Sequence, residues 1–273
     1  MLIDTHSHLN FNAYNKDLDE VIKRSLSSDV WMINVGSQYT TSRKAVEISQ
    51  KYPQGVYAAI GLHPIHLETS LVRIKEDPEE IEKLQDKEED FNYDKYKELL
   101  RNKNVKAIGE IGLDYYYKPK TKVKKEIFKE KQKEALIQQI KLAQEFNLPI
   151  IFHCRMAHQD LIEILKPLKV KGVIHCFTGD WEQAKEYLEM GFYLGFNGII
   201  FKMNLDEIIK KVPSDKILIE TDCPYLIPPG LGIKRNEPVH VKYVAERIAD
   251  LKNLNFEEIA KITTKNAKEL FKI

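Results

Sequence analysis

The stretch LIDTHSHLN, residues 2–10, opens as a short apolar run and ends in polar side chains at alternate positions, Asp4, His6 and His8. Successive strand residues point to opposite faces, so this spacing predicts all three on one face at the carboxyl end of a strand. The same design recurs along the chain. Apolar, β-branched runs at 2–6, 30–35, 56–60, 105–110, 149–153, 172–176, 192–196 and 216–220 give eight strand candidates. Amphipathic stretches separate them, and 126–147 is the clearest helix. Alternation on this scale implies a parallel sheet with covered faces. Eight units predict an α/β fold of the closed (β/α)8 TIM-barrel type rather than an open doubly wound sheet, and no GxGxxG fingerprint supports the latter.

The expected organisation is one barrel domain over 1–273, with closing helices after residue 236 and a charged excursion at about 68–103 before the fourth strand. With 43% hydrophobic and 30% charged residues, the chain can bury a core beneath a polar surface. No apolar run approaches the ~20 residues that span a bilayer, and no secretory leader is visible at MLIDTHSHLN, so a cytoplasmic protein is expected, with the nucleus also open. A net charge of +1 excludes the broad basic field of a protein that holds nucleic acid by bulk electrostatics. The three cysteines, Cys154, Cys176 and Cys223, form no disulfide framework.

Placed on the predicted strands, the histidines and carboxylates converge. His6 and His8 close strand one, His63 follows strand three and Glu110 ends strand four. His153 ends strand five, His175 nearly ends strand six and Asp222 follows strand eight. All are at carboxyl ends, the face where barrel active sites form. Such a mixed set suits divalent cations and leaves Mg2+, Mn2+ and Zn2+ open. His6, His8 and Asp222 are expected to hold one ion and His153 with His175 a second, with Glu110 as bridge and two ions clamping the oxygens of a hydrolysis. Asp222 is the expected proton acceptor. Asp4 and Glu220, two residues before His6 and Asp222, are candidates to orient ligands, and His66, His158 and His240 read as surface or supporting residues. Each cysteine directly follows a candidate ligand, so alternation sends all three thiols toward the helices.

In order, DTHSHL (4–9), GLHP (61–64), GEIGLDYY (109–116), HCR (153–155), IHCFTG (174–179), ETDCPYL (220–226) and KRNEP (234–238) resemble the TatD family of metal-dependent deoxyribonucleases. The resemblance covers nearly the whole chain. It implies a TIM-barrel hydrolase with two metal ions, cleaving DNA phosphodiesters as a 3′–5′ exonuclease, single strands included. It assigns the same ligand set, and it places His63, Arg155, Arg235 and Asn236 near the phosphate or nucleotide. Met156 departs from the pattern, which commonly carries an acidic residue there.

The stretch YYYKPKTKVKKEIFKEKQK (115–133) mixes three tyrosines with lysines and could stack bases and meet phosphates. Arg235 could grip phosphate, or Asn236 could cap a helix. The alternatives to a nuclease are an amidohydrolase acting on a C–N or ester bond and a non-catalytic barrel binding nucleic acid or a partner. Glu110, where such amidohydrolases often carry a modified lysine, leans toward phosphoesters. No obligate protein partner is evident.

Overall fold

A computed structural model of the chain describes residues 1–67 and 89–273. Eight strands form one parallel sheet in chain order: β1 (Leu2–Ser7), β2 (Val30–Val35), β3 (Val56–Ile60), β4 (Val105–Asp114), β5 (Ile150–Arg155), β6 (Gly172–Ile174), β7 (Tyr193–Phe196) and β8 (Ile217–Ile219). The ring closes just past β8. Ser7 bridges Cys223, Asp222 N–H donates to His6 O at 2.9 Å, and His8 N–H donates to Cys223 O at 2.9 Å. This is the (β/α)8 barrel expected from the alternation. β4 runs four residues beyond its predicted end, and β6 stops two residues short.

One apolar cluster gathers a residue from every strand: Ile3, Ile33, Ala59, Ala107, Ile151, Val173, Tyr193 and Leu218. Only the interior of a closed barrel collects all eight, so this is the inner floor. Ala267, Leu270 and Phe271 from the last helix join the cluster, and Thr264 Oγ1 donates to Met1 O, so that helix plugs the amino end of the barrel. The carboxyl end stays open for chemistry.

Around the sheet lie α1 (Leu18–Ser27), α2 (Tyr39–Gln50), α3 (Tyr93–Leu99), α4 (Lys122–Glu145), α5 (His158–Leu165), α6 (Trp181–Glu189), α7 (Asp206–Lys211), α8 (Val241–Lys252) and α9 (Phe256–Phe271). The helix read at 126–147 is α4, which begins one turn earlier. Thr121 Oγ1 accepts from Lys124 N–H at its start, and the first turn holds no acidic residue. Two buried glutamines of α4 reach the backbone just past β3 and at the last residue of β4. Gln139 exchanges two hydrogen bonds with Leu62 at 2.7 and 3.0 Å, and Gln132 does the same with Asp114 at 2.9 and 3.0 Å. They satisfy peptide groups that no neighbouring strand reaches, and so fix the chain that carries His63 and Asp114.

Of the expected excursion, 68–88 lies outside the described residues. The remainder forms α3, preceded by Glu89, whose carboxylate accepts from Tyr39 N–H and Tyr96 Oη–H. No helix among the described residues is long and apolar enough to cross a membrane.

Candidate metal centre

From the inner floor, alternation leads upward to the polar layer. Ile151, Val173 and Leu218 are each followed two residues later by His153, His175 and Glu220, and Ala59 leads through position 61 to His63. On β1 and β4 the step from Ile3 to His6 and from Ala107 to Glu110 is three residues. Both strands carry a register irregularity in that interval, between Asp4 and Ser7 and between Ile108 and Ile111, which absorbs the extra residue. Asp4 therefore does not share the face of His6, as strict alternation predicted. Its carboxylate accepts from Thr221 N–H at 2.8 Å and Thr221 Oγ1–H at 2.6 Å, tying β1 to the chain that carries Asp222. Burial raises its pKa to about 8.

The side chains converge on Glu110, which is buried among imidazoles. Its Oε2 stands 3.4 Å from His6 Nε2 and 4.0 Å from His8 Nε2, and its Oε1 stands 2.8 Å from His153 Nδ1, 3.5 Å from His63 Nε2 and 3.7 Å from His175 Nε2. Each oxygen thus faces a different group of nitrogens. His6 Nε2 and His8 Nε2 lie 3.1 Å apart, and Asp222 Oδ1 is 3.4 Å from His8 Nε2.

The acceptors facing the far ring nitrogens sort the histidines. His8 Nδ1 lies 2.9 Å from Val35 O, His175 Nδ1 lies 2.8 Å from Glu220 Oε1, and His153 Nε2 lies 3.2 Å from Asp114 Oδ2. In each ring this far nitrogen has an acceptor for its proton, while the other nitrogen faces Glu110 or Asp222 through a second proton, which a metal ion would displace to gain the lone pair. His63 is the reverse. Its Nδ1 accepts from Ile65 N–H at 3.0 Å, so in the neutral ring Nε2 is the donor. Glu220 orients His175 as expected. Asp114, which the sequence reading missed, does the same for His153; it stands four residues after Glu110 on the same strand face, a spacing already visible in GEIGLDYY.

Two glycines make this packing possible. A Cβ on Gly112, whose φ is +153°, would lie 1.9 Å from His153 O, and one on Gly195 would lie 2.7 Å from Glu220 Oε2.

Burial alone would raise the Glu110 carboxyl, but His63, His6, His153 and His175 hold it well below the ordinary carboxylate value. Burial likewise opposes charge on His153 and His175, yet Asp114 with Glu110 pulls the first up to about 9, and Glu220 with Glu110 pulls the second to about 10. His6 and His63 are lowered, by burial first and then by neighbouring imidazoles. The buried carboxylates therefore draw positive charge into the site.

A divalent cation fits this donor set. Imidazole nitrogens bound ~2.1 Å from one ion at tetrahedral to right angles stand about 3.0–3.4 Å apart, the separation of His6 and His8. His6, His8 and Asp222 bring donor atoms within 4.8 Å of one another, as do His63, Glu110 and His153.

The other expected site residues divide. Arg155 is exposed beside the centre, its guanidinium 3.7 Å above the Tyr116 ring. Arg235 is committed elsewhere. It donates to Asp17 at 2.9 and 2.6 Å, to Glu237 at 3.0 Å and to Ala13 O, and lies 4.3 Å over Tyr14. Asn236 is buried, donating to the carbonyls of Thr221, Tyr225 and Leu226 and accepting from Glu237 N–H. Glu237, not Asn236, is the cap of the short 3-10 turn Pro238–His240. Both residues brace the loop after β8, a role set by long-range partners.

One further expectation is corrected and two are resolved. Cys154 and Cys223 are buried against the helical layer, but Cys176 is half-buried and points at the mouth, with Sγ 3.5 Å from Asn197 Oδ1. The reason is that β6 ends at Ile174 and Cys176 turns to φ +45°, which ends the alternation. Of the two roles expected for His66 and His158, the supporting one holds: both are buried, bonded to Gln38 and Tyr187. Of the three tyrosines in 115–117, Tyr115 is buried with its hydroxyl on Asp160, and Tyr116 is exposed.

Comparison with known proteins adds an independent line. The family description "TatD related DNase" matches residues 3–272. An uncharacterized metal-dependent hydrolase of Bacillus subtilis (strain 168), YabD, is 45% identical over 280 residues, covering 100% of both chains. The 3′-5′ ssDNA/RNA exonuclease TatD of Citrobacter koseri is 31% identical over 284 residues, covering 100% of this chain and 99% of its own. Among solved structures, YJJV, a TatD homolog from Escherichia coli K12, superposes with a TM-score of 0.81 at 27% identity, covering 100% of this chain and 98% of that one.

Proposed function

The chain belongs to the TatD related DNase family of metal-dependent hydrolases, and from that premise we propose that it removes nucleotides from the 3′ end of DNA. The observation that carries the reading is Glu110, a buried carboxylate with its two oxygens turned to two separate groups of imidazoles. His6, His8 and Asp222 would hold one divalent ion and His153 with His175 another, with Glu110 between them. When bound, such ions lower the pKa of water and polarise phosphoryl oxygens, and Mg2+, Mn2+ and Zn2+ all suit these donors.

The chain's own groups do the rest. Water forms the new bond to phosphorus, the bond from phosphorus to the 3′ oxygen of the penultimate nucleotide breaks, and that oxygen takes a proton from solvent. The products are a nucleoside 5′-monophosphate and a strand shortened by one. Asp222 receives the proton of the water. Burial would favour its neutral form, but the His8 hydrogen bond and nearby imidazoles hold its pKa below the ordinary value, so it is an ionised acceptor at neutral pH. His63 donates from Nε2 to a phosphate oxygen, and Arg155 meets the phosphate from the rim.

The test is hydrolysis of single-stranded and duplex oligonucleotides with each cation, with and without chelator, by wild type and Glu110→Ala. The expected result is cation-dependent shortening from the 3′ end, abolished in the variant, with bound metal lost as well. Full activity in Glu110→Ala refutes the assignment, and turnover of cyclic amides or lactones instead of oligonucleotides refutes the substrate class.

A further inference from the structure

Beside the metal centre the barrel mouth opens into a cavity of about 560 Å³, within the size range of small-ligand sites. His153, His175 and Asp222 form part of its wall, so whatever fills it adjoins the proposed reacting phosphate. The rest of the lining is unusual in two ways. Tyr116 (50% exposed), Met156 (64%) and Met203 (43%), large apolar side chains that folding leaves in water, all line it. Left-handed backbone is concentrated there too. Among the described residues, apart from those at helix carboxyl ends, the non-glycine residues with positive φ are Met156 (56°), Cys176 (45°), Asp222 (55°) and Leu226 (52°), and all four line this cavity. Bulky residues adopt that region at a cost that is met where function requires it.

We propose that this cavity seats the base of the nucleotide whose phosphate is cleaved, packed against the thioethers of Met156 and Met203 and the Arg155–Tyr116 stack. The proposal rests on the nuclease reading above. A flat, polarisable base matches thioether and aromatic surface, and the guanidinium on Tyr116 supplies the positive charge for its attached phosphate. Met156 stands where the resemblance implies an acidic side chain, so an apolar thioether replaces a charge on this wall.

The lining also predicts how the base is read. Asp180 and Gln183 spend their side chains on each other's backbone N–H groups, at 2.9 and 3.0 Å, to cap α6. His158 Nδ1 is engaged by the Tyr187 hydroxyl at 3.1 Å, and its Nε2 is buried, away from the open mouth of the cavity. The exposed surface that meets the base is mainly thioether and aromatic, which grips the faces that all four bases share, so the seat accepts all four.

The experiment compares single-stranded oligonucleotides ending in each of the four bases with one ending in an abasic tetrahydrofuran nucleotide, for wild type and the Met156→Ala/Met203→Ala double variant. Both methionines are solvent-exposed, so a thermal melt should match wild type. Expected in the wild type are kcat/KM values within about fivefold across the four bases and at least tenfold lower for the abasic end. The double variant should bring that ratio to threefold or less. A wild-type ratio near one overturns the base seat while the nuclease stands. A large ratio that survives in the double variant places the base elsewhere and overturns the assignment to this cavity. If the wild type cleaves none of the oligonucleotides, the nuclease reading itself fails and the seat with it.

Discussion

Arg235→Ala separates a loop brace from a phosphate grip. The guanidinium, 21% exposed, pairs with both oxygens of Asp17, with Glu237 and with Ala13 O, and lies over Tyr14. Hydrogen bonds to charged groups contribute ~1.5–3 kcal/mol each and the ring contact about 0.5–1, before solvent screening. Arg24 keeps part of the charge balance, since it still reaches Glu237 at 2.6 Å and Asp17 at 3.6 Å. A net loss of roughly 2–3 kcal/mol follows. At ~2.1 cal/mol/K of unfolding entropy per residue, this chain should melt about 3.5–5 °C lower.

The pH dependence of that loss has a definite sign. Hydrogen bonding from Arg235 holds Asp17 below its ordinary 3.8, and Arg24 and Arg235 hold Glu237 below its ordinary 4.5 despite burial. Groups with depressed folded pKa values contribute fully above the unfolded pKa and lose the contribution as pH falls through the folded one. The gap between wild type and Arg235→Ala should therefore persist at neutral pH and shrink below about pH 4. Thermal melts across pH 3–7 and oligonucleotide kinetics on the same samples make the assay. An unchanged melt with a KM raised tenfold or more refutes the brace and restores Arg235 as a substrate contact.

Three other outcomes are expected. Glu220→Gln, which weakens the hold on His175, should reduce metal affinity ~10–100-fold by isothermal calorimetry while the far-UV spectrum is kept; unchanged affinity removes Glu220 from the centre. Gly112→Ala forces a Cβ into His153 O, so β4 must part from β5, and denaturant unfolding should show a loss of at least ~3 kcal/mol. Native protein should expose one thiol of three to a thiol reagent, Cys176, with Cys154 and Cys223 reacting only after denaturation; peptide mapping decides, and early labelling of Cys154 would contradict the packing.

The sequence by itself determined the barrel and most of the polar layer. Both follow from local rules: β-branched runs pair as strands, alternation assigns their faces, and strand ends share one mouth, so His6, His8, Glu110, His153, His175 and Asp222 could be brought together without coordinates. What only the tertiary structure decided depends on irregularity or on distant partners. The displacement of Asp4 comes from a register irregularity, and the turn of Cys176 toward the mouth comes from a left-handed residue past a strand end. Neither leaves a mark in apolar spacing. Arg235 looked like a phosphate ligand because its partners Asp17 and Ala13 lie more than two hundred residues away in the chain, and the proton positions that separate His63 from the ligand histidines are set by the Ile65 N–H of the following turn for the one and by backbone and carboxylate acceptors distant in sequence for the others.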